Sequence, residues 1–247
     1  MGYDQFVGFE LLLAAAAVAG GATAAVTGFS IGSLITPVLA LTVETKLAVA
    51  AVSVPHLVGT AFRFWTLGGR PDRAVLWSFG LTSAAGGLTG ALLHGWASNA
   101  LLALVFGILL VFVALSELTG LAGRLHFGGR SAWAAGAISG LLGGMVGNQG
   151  GVRSAALLRF ELEKRSFVAT ATAIGLMVDV ARMPVYAWTS ADRLSPIAGW
   201  IALATAGVLA GTLLGTRLLT QIPRRAFRPI VATIIGTLGF LMILRAL

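Results

Sequence analysis

The sequence predicts an all-α polytopic membrane protein made of two inverted-topology repeats of about five segments each, with short half-helices after Gly-rich breaks. Three observations carry this expectation. First, 57% of the 247 residues are hydrophobic and 11% are charged, with a mean hydropathy of +0.91. That leaves too little polar surface to cover a soluble fold of this size. Second, the apolar runs, cut apart by charge or turn clusters, number about ten. Third, the stretch V-T-G-F-S-I-G-S-L-I-T-P at 26–37 has a counterpart 119 positions later, M-V-G-N-Q-G-G-V-R-S-A-A. A Gly-rich break inside apolar sequence frees backbone amides, and is expected only where protein or a cavity surrounds it.

Taken in order, the segments are roughly 6–27, 33–42, 46–67, 74–96 and 99–119, then 132–147, 152–160, 166–189, 195–220 and 226–246. Eight approach the roughly 20 residues that cross a bilayer, whereas 33–42 and 152–160 have about half that length. Both short ones directly follow a Gly-rich break. Each half, 1–120 and 121–247, thus repeats one pattern: a helix, a break, a half-helix and three full helices. At the 119 offset Gly21 meets Gly140, Gly28 meets Gly147, Gly32 meets Gly151, Leu39 meets Leu158, Glu44 meets Glu163 and Arg63 meets Arg182. The 33 glycines suit closely packed helices.

Charge sets the relation between the halves. The formal net charge is +8, but the fifteen Arg and two Lys sit at segment ends and form no basic stripe, which argues for topology signals and against nucleic acid. The loops at 68–73 (Arg70, Arg73), 120–131 (Arg124, Arg130), 160–165 (Lys164, Arg165) and 217–228 (Arg217, Arg224, Arg225, Arg228) are basic, and those at 43–45, 94–99 and 190–194 are not. Basic loops face the cytoplasm. The fourth-to-fifth loop is uncharged apart from His94 in the first half and basic in the second, so the halves are inverted and both termini lie outside. The absence of Cys excludes disulfides and thiolate chemistry. The first basic residue is Lys46, so the apolar run from Phe6 lacks the positive start of a secretory signal.

A half-helix that starts inside the membrane presents unpaired N–H groups and partial positive charge, which suits an anion. The candidate ligand set is Gly28, Ser30, Gly32, Ser33 and Thr36 in one half, with Asn148, Gln149, Gly150, Gly151, Arg153 and Ser154 in the other. Arg153 matters most, because a charge at bilayer depth costs about 2.5–3.5 kcal/mol and its planar fork fits an oxyanion. Two plainer readings stand beside this one: the breaks as close-packing points, and Arg153 at a segment end touching lipid phosphate. A second constellation is Arg63, Arg182 and Asp179, the last two on one helical face. They either line a path, with Asp179 as counter-ion or proton acceptor, or snorkel to the interface from late helix positions. His56, beside Pro55, either touches substrate and shuttles protons or only packs; His94 and His126 read as solvated loop residues. No spacing forms a metal site and no cofactor is implied.

Gly28-Phe29-Ser30-Ile31-Gly32 matches the G-x-S-x-G nucleophile elbow. That elbow needs a strand before the Ser and a helix after it, and here both flanks read as apolar helices. An intramembrane serine hydrolase is therefore the remotest alternative, and no catalytic residue is assigned.

The G-x-x-x-G break followed by Pro37, the run A-I-S-G-L-L-G-G-M-V-G-N-Q-G-G-V-R-S-A at 137–155 and the duplicated layout resemble the TauE/SafE sulfite exporter family over nearly the whole chain. At the breaks this chain has Phe29-Ser30-Ile31-Gly32 and Asn148-Gln149-Gly150-Gly151, where members carry a triple-glycine cluster. The resemblance implies a secondary transporter in the bacterial inner membrane that moves sulfite or an organosulfonate, with a small anion and the lipid bilayer as partners. An anion channel or a non-transporting anion-binding protein is the alternative. A homodimer stays open, and no ATPase motif is present.

Overall fold

Among the described residues, alternating apolar runs and polar punctuation fold into ten helices. The structure is a computed structural model that describes residues 3–28, 30–66, 69–121, 130–157, 160–218 and 224–247. Phe29, Arg124, His126 and Leu158 lie outside these. The first five helices are α1 (Tyr3–Thr27), α2 (Ile31–Leu39), α3 (Thr45–Thr66), α4 (Arg73–Trp96) and α5 (Asn99–Thr119). The second five are α6 (Arg130–Val146), α7 (Gly150–Leu157), α8 (Lys164–Leu194), α9 (Ala198–Leu218) and α10 (Arg224–Leu244). A π-helical turn at Leu76–Gly80 lies inside α4, and a 3-10 turn at Ser195–Ile197 joins α8 to α9.

Local chemistry explains several boundaries. Asp72 accepts from Val75 N at 2.9 Å where α4 begins, and Ser98 accepts from Leu101 N at 3.1 Å where α5 begins. Gly120, at φ 69°, closes α5 in the left-handed region. Four stretches, Asp4–Thr27, Thr45–Thr66, Arg73–Trp96 and Asn99–Thr119, are long and apolar enough to cross a membrane, as is Arg165–Gly215 at 51 residues. At 1.5 Å per residue the last would span about 76 Å, more than twice a hydrocarbon core. The turn at Ser195–Ile197 divides it into two helices.

The main packing is between the halves rather than within them. α1 pairs with α9, α4 with α6, α5 with α10 and α3 with α8. Small residues let backbones touch where lipid offers no hydrophobic drive to associate. Along α6, a Cβ on Gly136, Gly140 or Gly144 would strike the backbone of Phe79, Ser83 and Gly87 in turn, so α4 and α6 run parallel. Along α9, Gly207, Gly211 and Gly215 lie against Ala17, Val18 and Ala22, so α1 and α9 are parallel too. In α5 and α10 the order reverses: Gly107 meets Ile243, and Gly236 meets Ala114. The largest core draws on both halves, from Leu13, Ile35, Leu102 and Phe106 to Val208 and Ile235.

Two levels of exposed Trp mark the two ends of the bundle, as at bilayer interfaces. Trp65, Trp77 and Trp133 lie near one end. Trp96 and Trp188 lie near the other, where Lys46 Nζ donates to Gly95 O at 2.9 Å and Arg245 donates to Ala40 O. There too Arg193 donates to Glu44 at 2.7 Å and, with Asn99, holds its carboxyl below the ordinary range. That exposed pair adds little stability.

If the α4–α6 contact sets the architecture, Gly144→Ala should destabilise the protein by about 1–3 kcal/mol, seen as a lower thermal midpoint in detergent. Gly95→Ala, on the same pair but with open space around it, should leave the midpoint unchanged.

Candidate functional site

The two Gly-rich breaks are built alike. Gly28 (φ 84°) and Gly147 (φ 75°) both take the left-handed conformation that ends a helix. Gly28 N donates to Ala24 O at 2.9 Å and Gly147 N to Gly143 O at 3.0 Å. Beyond them Leu34 N donates to Ser30 O at 3.2 Å and Arg153 N to Gln149 O at 3.0 Å, opening α2 and α7. These helices have nine and eight residues and start two residues before the sequence expectation. Ser30, at φ 126°, holds a backbone conformation that costs a non-Gly residue about 1–3 kcal/mol.

The breaks also meet. Asn148 Nδ2 donates to Ser33 Oγ at 2.9 Å, and a Cβ on Gly32 would lie 2.6 Å from Gly147 O. Arg153 Nη2 donates to Gly28 O at 3.0 Å. Gly151 instead packs against Val113 of α5.

Arg63 and Arg182 do not snorkel to the interface: both are buried, at 3% and 2% exposure. α8 continues to Leu194, which puts Arg182 deep within its helix. Arg63 Nη1 donates to Ala24 O at 3.0 Å, and Arg182 Nη1 donates to Gly143 O at 2.8 Å. Those two carbonyls occupy equivalent places, at the negative end of the helix that precedes each break. Arg63 adds bonds to Gly28 O (3.4 Å) and Thr172 Oγ1 (3.2 Å).

Asp179 lies between a guanidinium and an imidazole. It takes 2.7 Å contacts from Arg182 Nη2 and from His56 Nδ1. Sequence placed Asp179 beside Arg182 but did not connect it to His56, which comes from α3, more than a hundred residues earlier. Around this pair, Thr60 Oγ1 lies 3.5 Å from His56 Nδ1. A Cβ on Gly175, one turn before Asp179, would meet Arg153 Nη1 at 2.9 Å and Thr60 Cγ2 at 3.5 Å. Arg153, His56, Thr60 and Asp179 therefore converge on the α3–α8 crossing. With 13% of its side chain accessible, against 1% for Asp179, His56 is the least enclosed member of this cluster.

Charge and hydrogen bonding both leave a surplus here. Among the described residues three buried guanidiniums, of Arg63, Arg153 and Arg182, share one buried carboxylate, Asp179. Arg153 Nε and Nη1 have no hydrogen-bond partner among the described residues, nor have Ser30 Oγ, Thr36 Oγ1, Gln149 Oε1 and Ser154 Oγ. Arg153 is 2% exposed, so it does not reach lipid phosphate. Arg153 and the hydroxyls of Ser30, Thr36 and Ser154 are donors left over among the residues expected to hold an anion, whereas Gln149 Oε1 is an acceptor; His94 Nε2 and Ser116 Oγ, outside that set, are also without a partner among the described residues.

His94 corrects the sequence reading. It is a buried residue near the end of α4, 1% exposed, whose Nδ1 donates to Met145 O at 2.8 Å and whose ring packs edge-on to Tyr186. Apolar flanks and a nearby turn did not reveal that α6 covers it. Ser30 Oγ has no His or carboxylate partner among the described residues, so the elements of a nucleophile elbow are not assembled around it.

The two carbonyl-binding arginines should differ in weight. Arg63→Gln should cost about 1–3 kcal/mol of stability through its lost bonds. Arg182→Gln should cost more, about 3–5 kcal/mol, because Asp179 is left as a buried charge without its guanidinium. Adding Asp179→Asn to Arg182→Gln should recover part of the loss. Thermal midpoints of the four proteins check this, and equal losses for the two single variants would refute it.

The chain matches the protein family described as Sulfite exporter TauE/SafE over residues 12–242. Comparison with curated proteins gives no match, and comparison with solved structures gives none either. The family match spans nearly the whole chain and agrees with an all-helical fold containing several helices able to cross a membrane: the protein belongs to the TauE/SafE sulfite exporter family of membrane transporters.

Proposed function

We propose that the protein is a secondary transporter that exports a small sulfur-containing oxyanion, sulfite or an organosulfonate, across a bacterial inner membrane. One observation carries the reading: Arg153 is buried at the meeting point of the two breaks, with two guanidinium nitrogens unpartnered among the described residues. A buried charge in a membrane protein needs a partner, and an anion is the partner that its planar fork and the surplus positive charge select. Ser30, Gln149, Ser154 and the first amides of α2 and α7 complete the cradle. A sulfonate or sulfite group, with three oxygens around one centre, matches several donors converging from two directions.

The halves 1–120 and 121–247 act as inverted repeats. Exchanging each helix for its counterpart five places on turns the α1–α9 pair into α6–α4 and the α3–α9 pair into α8–α4, and returns α5–α10 and α3–α8 to themselves. The basic loops favour a topology with both termini outside. Alternating access then exposes the anion to each side in turn. Export is favoured by the inside-negative potential, at about 2.3 kcal/mol per charge per 100 mV.

Flux of labelled sulfite and methanesulfonate from proteoliposomes tests this. The native protein should show saturable flux. Arg153→Ala should weaken anion affinity by about 10- to 150-fold, the loss of a charge-assisted bond. Equal flux in both proteins would reduce the breaks to packing points, and conductance without saturation would make the protein a channel.

A further inference from the structure

We propose that anion binding is tied to a proton on His56, so that the protein takes up one proton with each anion it holds. This rests on the anion site around Arg153 described above. The argument starts from what each imidazole nitrogen can do. Nδ1 lies 2.7 Å from Asp179 Oδ2, and a carboxylate only accepts, so Nδ1 carries the hydrogen. In the neutral ring Nε2 then holds a bare lone pair, which repels an anion. Protonation from solvent turns Nε2 into a donor while Nδ1–H stays on Asp179, and no other bond changes.

The surroundings decide which state an anion selects. His56 is the accessible member of a cluster whose other members, Asp179, Arg153 and Thr60, are closed off. Arg153 Nη1 belongs to the same cluster: a Cβ on Gly175 would meet it at 2.9 Å and Thr60 Cγ2 at 3.5 Å, and Thr60 Oγ1 lies 3.5 Å from His56 Nδ1. An oxyanion held by Arg153 would share this buried cluster with His56 and favour the imidazolium, whose charge Asp179 balances. The charged groups facing His56 are Asp179 and Arg182 from α8 and Arg153 from α7, with Arg63 two turns further along α3 itself. α2 brings no titratable residue, and α5 and α9, which also pack on α3, bring Glu117 and Arg217 in their last turns.

Position 175 shows why this arrangement exists once. At the 119 offset His56 corresponds to Gly175 and Thr60 to Asp179. The proton-binding ring comes from one half and its carboxylate from the other, so the pair forms only across the crossing of α3 and α8. By linkage, an anion that raises proton affinity is itself held more tightly when the proton is present.

Methanesulfonate is the suitable probe, because its sulfonate stays ionised from about pH 5 to about pH 9, a range that brackets histidine titration. Any pH dependence of its binding then belongs to the protein. Purified native protein in detergent should bind it with an affinity that falls about tenfold per pH unit at the alkaline end. His56→Gln, whose amide can donate without titrating, should bind with an affinity that does not vary with pH. In weakly buffered solution at alkaline pH the native protein should take up about one proton per methanesulfonate bound, a measurement that needs no variant. A pH-independent native affinity that Arg153→Ala abolishes would keep the anion site and overturn the proton link. A slope surviving in His56→Gln would also overturn it, by placing the titrating group elsewhere. Absence of saturable binding in the native protein would overturn the anion site and this inference together.

Discussion

The structure depends on how two interruptions of helical hydrogen bonding are made tolerable inside an apolar medium. Backbone that leaves a helix at membrane depth must find partners within the protein. At each break the carbonyl of the preceding helix, Ala24 O or Gly143 O, receives its own chain's glycine amide and an arginine from the third helix of the same half. The exchange is mutual. A guanidinium buried alone would be costly, and a helix end with a bare carbonyl would be costly too, but each supplies what the other lacks. The breaks and the arginines belong to one device, and removing either half of it leaves the other unsatisfied.

Carbonyl dipoles solvate a guanidinium without cancelling its charge. The crossing of α3 and α8 therefore stays positive even where its hydrogen bonds are complete. Arg63 and Arg182 spend their donors on the protein, whereas Arg153, with Nη2 on Gly28 O, keeps two nitrogens unpartnered among the described residues. The division follows the repeat. Positions identical at the 119 offset, Gly28 with Gly147 and Arg63 with Arg182, hold the backbone in place. Positions that differ, Leu34 with Arg153, Ser30 with Gln149, His56 with Gly175 and Thr60 with Asp179, build the polar cluster.

This division also explains what could be read from sequence. Helix number and bounds follow hydropathy and punctuation, which are local, so ten segments could be placed to within a few residues; the chief exception was α8, which runs on to Leu194. The glycine breaks were legible because Gly28 and Gly147 declare their backbone conformation by residue type. The partners of the buried charges were not. Arg182 could be set beside Asp179 by its three-residue spacing, but the bond from His56 depends on the angle at which α3 crosses α8, and no periodicity within one helix encodes that. His94 failed for the same reason: a position close to a turn reads as exposed unless the helix that covers it, α6, is known to run alongside.

The interleaving of the halves constrains how access could alternate. Among the described residues each buried hydrophobic cluster draws on both halves, and the contacts of α1 on α9 and of α4 on α6 join one half to the other through glycines that leave no slack. Two sequence halves rocking as separate bundles would have to break these contacts. Motion that preserves them moves α1 with α9 and α4 with α6, each pair as a unit. Both pairs touch the central crossing, α9 on α3 and α4 on α8, so displacement of one pair relative to the other passes through α3 and α8. The His56–Asp179 bond lies across that crossing, and Asn148–Ser33 and Arg153–Gly28 tie the two breaks beside it. An anion competing for Arg153, as proposed, would act on the few bonds that such a motion would have to exchange, while the arginine-capped carbonyls keep each break intact.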